Sequence, residues 1–196
     1  MAHAGFHLRC HADQGKEFYV RGLQVKILTI IGTGVMFLAA AVVLAFVLMG
    51  PERVWGLFGE PDLGPVSFEQ LQRRSSPNDA LACPHDVCKV PVDIKSMLYP
   101  VNARELRMAF AKVIASAPRV VTVDANETAL TDRYVQRTGR LGFPDTIVVQ
   151  FFDRPDGQST LAIYSRSQLG ESDLGENKTR IERWLSRLAD QVQPVE

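Results

Sequence analysis

The stretch DTIVVQFFDRPDGQSTLAIYSRS, residues 145–167, decides the fold of most of this chain. Its first half alternates: Ile147, Val149 and Phe151 point one way, and Val148 and Phe152 the other. Apolar residues on both sides of a strand predict a central strand, covered on both faces. Arg154-Pro155-Asp156-Gly157 is a strong turn sequence, because proline presets φ and glycine accepts φ > 0. The second half, 158–167, is then the antiparallel partner of the first.

Working outward toward the C-terminus, residues 168–176 form a polar loop, and a helix is expected from about 177 to 192. Ile181, Trp184, Leu185, Leu188 and Val192 form its apolar stripe. Arg180, Arg183 and Arg187 read as lying off that stripe. Toward the N-terminus, 130–138 and the valine-rich 119–124 read as two more strands. Leu106, Phe110, Val113 and Ile114 recur at helical spacing, giving a helix over about 103–116 that Pro118 ends. Asn102 and Glu105 have the spacing of a capping box at its start. Residues 89–94 alternate and read as a strand, placed at an edge or bulge by Pro91. Ser67 to Pro91 opens the domain, with a short helical turn at Phe68 and Leu71 and a turn-rich loop at 73–79. The expected class is α+β: an antiparallel sheet packed against a long C-terminal helix, in a helix-grip-like arrangement. Such a sheet often leaves an apolar cavity against its helix.

Upstream, residues 27–49 hold twenty-three positions without a charge. As a helix they would cover ~34 Å, enough to cross a hydrocarbon core of ~30 Å. Arg9, Lys16, Arg21 and Lys26 precede this span, and Glu52, Arg53, Glu60 and Asp62 follow it. The basic side stays cytoplasmic, so the expected placement is the inner membrane, N-terminus inside and C-terminal domain periplasmic. The span is too long for a cleaved signal peptide, and Val47-Leu48-Met49-Gly50 lacks the small residues of a cleavage site. The expected domains are a cytoplasmic tail (1–26), a transmembrane helix (27–49), an interfacial segment and linker (50–66) and a periplasmic domain (67–192). Trp55, Leu57 and Phe58 suit the headgroup zone just beyond the span.

Lys+Arg and Asp+Glu balance at 22 each, so no charge excess points to nucleic acid. Cys83 and Cys88, four residues between them, most simply form a disulfide in an oxidising compartment. Metal ligation or free thiols are the alternatives, and metal would need two further ligands. His3, His7 and His11, with Cys10, would share one face of a helix and are good zinc ligand types. The plainer reading is a polar tail with chance histidines.

The segments SSPNDALACP (75–84), YVQRT (134–138), FPD (143–145) and YSRSQLGESDLGENKTRI (164–181) resemble the family called domain of unknown function 1499, over roughly 67–190. The resemblance implies an envelope or plastid-type domain of undetermined activity. It brings no catalytic residues and no cofactor.

The loop 168–176 is the best candidate site, with Tyr134, Arg137, Tyr164, Arg166, Asp173, Asn177 and Arg180 as candidate ligand-binding residues. Two readings stand. In one, Asp173 accepts backbone N–H groups, Asn177 caps the helix and Arg180 pairs with Asp173. In the other, Arg166 or Arg180 and the helix N-terminus form an anion-binding corner. Nucleophilic hydrolysis is poorly supported, because the outer domain has one histidine, His85. Arg133, Arg137 and Arg140 read as a solvated or salt-bridged face. The leading expectation is a non-catalytic, membrane-anchored binding module for a small apolar or amphiphilic ligand, such as a lipid. The alternatives are an accessory subunit with a membrane-protein partner, and an envelope enzyme with a polar site near Arg166 and Asp173.

Overall fold

The computed structural model describes the backbone of residues 4–139 and 141–195, and the side chains of 21–139 and 141–195. The chain divides after Gly50 into two compact units.

The first unit is one helix, α1 (Ala4–Met49), which begins well upstream of the uncharged run. Its Arg21–Met49 portion is long and apolar enough to cross a membrane, and none of its most apolar window is buried within the protein. Thr29 and Thr33 turn their hydroxyls back to the carbonyls four residues earlier, at 2.8 Å. That satisfies both groups within the helix, as an apolar surrounding requires. The candidate zinc ligands His3, His7, Cys10 and His11 lie outside the described side chains, as does Arg140.

The second unit opens with a short helix, α2 (Pro51–Gly56). It contains β1 (Asp79–Cys83), β2 (Ile94–Lys95), α3 (Ala103–Ala115), β3 (Val120–Asn126), β4 (Thr131–Arg137), β5 (Pro144–Asp153), β6 (Ser159–Ser167) and α4 (Glu176–Gln191). The six strands form one sheet in the order β2-β1-β6-β5-β4-β3. All pairs are antiparallel except β1 with β2. The fold is therefore α+β, with β5 in the interior of the sheet as its two-sided apolar pattern required. Its turn to β6 is the expected one, with Asp156 and Gly157 at φ 60° and 70°.

The two faces of β5 carry two cores. Ile147, Val149 and Phe151 join α3 and α4 in the main cluster. Val148 and, at its edge, Phe152 join Phe68, Leu71, Leu81, Cys83 and Cys88 on the other face. The Cys83–Cys88 disulfide is formed and seals that second layer.

Four expectations are corrected. The sheet's inner strand at this end is 79–83, while 89–94 contributes only Ile94–Lys95. Val90 and Val92 pack on the second core, and that packing produces the alternation without a ladder. Among the described residues no ligand-sized apolar space separates the sheet from the last helix at the level of Trp184. Phe110, Tyr134, Phe151 and Trp184 fill it with tilted and edge-on ring contacts of 5.7–6.5 Å, and α3 shares the face with α4. Arg180 is buried on the α4 stripe and not off it, because it lies four residues before Trp184 and has a carboxylate to meet. Finally, the 61–64 segment is not a free linker. Thr146 Oγ1 bonds Pro61 O and Leu63 N, Asp62 pairs with Arg133 at 2.9 Å, and Arg166 holds the carbonyls of Leu63 and Gly64.

Candidate functional site

Register brings three polar side chains into a row at one end of the sheet. Asp145 on β5 lies opposite Gln136 on β4 and Ser167 on β6. Each occupies a buried position. From above, the first turns of α4 lower Asn177 and Arg180, three residues apart and so on one helical face.

Arg180 is the centre. Its Nη2 meets Asp145 Oδ2, its Nε donates to Gln136 Oε1 at 2.5 Å, and its Nη1 donates to Ser165 Oγ at 2.8 Å and to Asn177 Oδ1. Asn177 Nδ2 donates onward to Asn78 O and Ser167 Oγ at 3.1 and 3.0 Å. A buried guanidinium is tolerated only when its charge is paired and its donors are used. Here the network supplies both, with Arg180 itself 1% exposed.

The loop above this network is set by Asp173. Its carboxylate accepts the N–H of Gly175 at 3.0 Å and of Asn177 at 2.8 Å, two donors that the helix start leaves unpaired. Gly175, at φ 82°, makes the turn into α4. The capping expectation for Asp173 thus stands, but Asn177 sits inside the helix and points into the core. Arg180 pairs with Asp145 and not with Asp173.

Between this loop and the start of β5 lies a pocket of about 240 Å³. Phe143, Leu169 and Leu174 give it apolar walls, and Asp145, Ser167 and Asp173 its polar side. Among the described residues no cation lines it, and Glu176 adds a third carboxylate. Arg180 lies beneath the floor, its charge paired with Asp145. A hydrogen-bond donor or an ammonium on an apolar body suits the lining.

The other expected residues lie elsewhere. Tyr134 belongs to the main core; its hydroxyl donates to Asp132 Oδ2 at 3.1 Å, and burial first, then Asp132, raises its pKa. Tyr164 and Arg166 are on the opposite face of the sheet from Asn177 and Arg180. Tyr164 donates to Asp79 Oδ2 at 2.5 Å, and burial followed by Asp79 raises its pKa. Arg166 lies 5.7 Å over the Tyr164 ring, and burial lowers its pKa. Arg137 is at the rim, donating to Gly142 O at 3.1 Å. The structure therefore brings Asp173, Asn177 and Arg180 together and leaves Tyr134, Tyr164 and Arg166 apart from them. Asp145, Gln136 and Phe143 complete the corner; polar residues at buried strand positions were the signal that could have found the first two.

A wider cleft of about 510 Å³ lies beside the disulfide loop, lined by His85, Asp86, Lys95, Ser96 and Arg154 among others. Its charges are mixed, and Arg154 is taken up by Asp86 at 2.8 Å. Among the described residues no group of three or more His, Cys, Asp and Glu is placed to hold a metal ion.

Residues 69–188 match the family described as protein of unknown function (DUF1499). The chain belongs to that family, and the matched region holds the whole corner. No curated protein matches the chain.

Proposed function

We propose that this DUF1499 member is a non-catalytic binding module, anchored in the inner membrane by Arg21–Met49 with its second unit in the periplasm. Its ligand is a small amphiphile seated in the Asp145–Asp173 corner. One observation carries the reading: a pocket with apolar walls whose polar side rests on a buried, hydrogen-bonded network. Glu176 in the lining, with the acceptor capacity that Asp145 and Asp173 retain, selects a head group that donates hydrogen bonds or carries positive charge. The basic residues before the span support the orientation, and the disulfide suits an oxidising compartment. The corner's polar groups are spent on one another and on the helix end, which favours holding a ligand over transforming one.

The test is native mass spectrometry of the full chain, extracted with its surrounding lipid into nanodiscs. A mass released by denaturation is expected, and Leu169→Trp, which fills the pocket from its wall, should abolish it without lowering the melting temperature. A clean unliganded mass, with no thermal shift across a panel of cationic and neutral amphiphiles, would overturn the reading.

A further inference from the structure

Beside the corner runs a line of exposed apolar side chains that the soluble core does not use. Leu57 and Phe58 are 75% and 65% exposed, Leu141 52% and Leu174 96%. Distant parts of the sequence hold them in place. Trp55 Nε1 donates to Leu141 O at 2.6 Å, and its ring lies 4.4 Å from Phe143 and 5.9 Å from Phe58. Gly142 is at φ +69°, where a Cβ would come 2.9 Å from Pro51 Cβ, so α2 and the 141–143 turn touch directly. Phe143 in turn lines the corner pocket together with Leu174. The apolar line thus runs from Phe58 to the pocket mouth.

Chain length says what covers it. Pro51 follows Met49, the last residue of the apolar helix, by two positions. At ~3.5 Å per extended residue and ~1.5 Å per helical residue, Trp55 lies within roughly 15 Å of the end of that helix in any orientation. A surface that carries Leu, Phe and a Trp whose N–H is satisfied fits the zone between hydrocarbon and water.

We infer that Trp55, Leu57, Phe58 and the 141–143 turn form a seat on the bilayer headgroups, a second membrane contact beyond the span. The seat rests on the anchor reading of Arg21–Met49, and it deepens the pocket reading. The mouth beside Phe143 opens at the lipid surface, so the pocket's amphiphile comes from the membrane.

The experiment uses the full chain with Cys10→Ser, carrying either Leu141→Cys or Leu98→Cys labelled with an environment-sensitive fluorophore. Leu98 sits by the Ser159 end of β6, away from the Ser167 end. The Trp55 bond is to the Leu141 backbone, so the substitution at 141 leaves it in place. In phosphatidylcholine nanodiscs containing a shallow nitroxide lipid, the label at 141 is expected to be quenched at least threefold more than the label at 98. Phe58→Asp with Leu57→Asp should remove that difference while near-UV circular dichroism stays native. Equal, weak quenching at both positions in a chain inserted in the discs overturns the seat alone and frees the face for a protein partner. A chain that does not enter the discs overturns the anchor reading and the seat together. Strong quenching at 141 with no ligand mass keeps the seat and removes the pocket reading.

Discussion

Arg180 is the residue on which the α4 end of the fold turns. Its position was legible, since it is four residues before Trp184 and so on the same helical side, but its charge argued for the surface. What the sequence does not display is the partner: Asp145 lies thirty-five positions upstream. Removing one member of a buried pair strands the other. Arg180→Ala is therefore expected to cost about 3–5 kcal/mol, and Arg180→Ala with Asp145→Asn less than the sum of the two single changes. Denaturant unfolding of the four proteins checks this; additive losses would mean that the pair is not coupled. On the other face, Asp79 makes a second prediction. Burial alone would raise its carboxyl pKa, but hydrogen bonds from Arg73 and Tyr164 and the Arg73 charge outweigh burial and hold it below the usual value. A depressed folded pKa gives stability that is complete above the unfolded value, near 3.8. That stability is lost as pH falls through the folded value. The melting temperature should thus drop as pH is taken from about 4 toward 2.5, and Asp79→Asn should be less stable at pH 7 with a flatter acid limb.

At the scale of elements, helix starts were easier to read than strand edges. Asn102 and Glu105 form the full reciprocal capping box, because its chemistry is local and its spacing fixed. β1 was not visible: its Asp79, Ala80 and Ala82 have low strand propensity, and it is a strand because β6 pairs with it. β2 reaches β1 over two residues, helped by Asp93, whose N–H donates to Leu81 O and whose carboxylate accepts Leu81 N–H. The α4 start is intermediate. It lacks a side-chain cap at Gly175 itself, and Asp173 supplies the acceptor from two residues earlier. Asp173→Ala is expected to cost about 1 kcal/mol, within the usual range for a lost cap, whereas Asp173→Asn keeps an acceptor oxygen and should cost a few tenths. Chemical denaturation separates the two. If the losses are equal, the carboxylate's charge and not its oxygen geometry holds the helix start.

For the whole molecule, the two-layer cover of the sheet follows from the pattern of β5, but the material of each layer does not. A second helix, α3, and four aromatic rings take the space that a helix-grip analogy would leave open. The opposite face is closed by irregular chain, which hydrophobic periodicity cannot detect because it has no period. That cover decides where the second unit can be cut. Its boundary after Gly50 and its own core imply that residues 51–196 fold without α1, and their melting temperature should match that of the full chain. Starting at Val66 is a different matter. It deletes the carbonyls that hold Arg166, the Pro61 and Leu63 partners of Thr146, and the Asp62 partner of Arg133. Arg166 already has its Nε without a partner, so losing both carbonyl acceptors would leave a half-buried cation with little to bond. At about 1–3 kcal/mol for each buried group left unsatisfied, the shorter form should lose at least 3 kcal/mol, or roughly 10 °C in melting temperature. Differential scanning calorimetry of the two forms makes the comparison. Equal midpoints would return 50–66 to the status of a tether and leave the sheet's second face to Phe68, Leu71 and the disulfide loop alone.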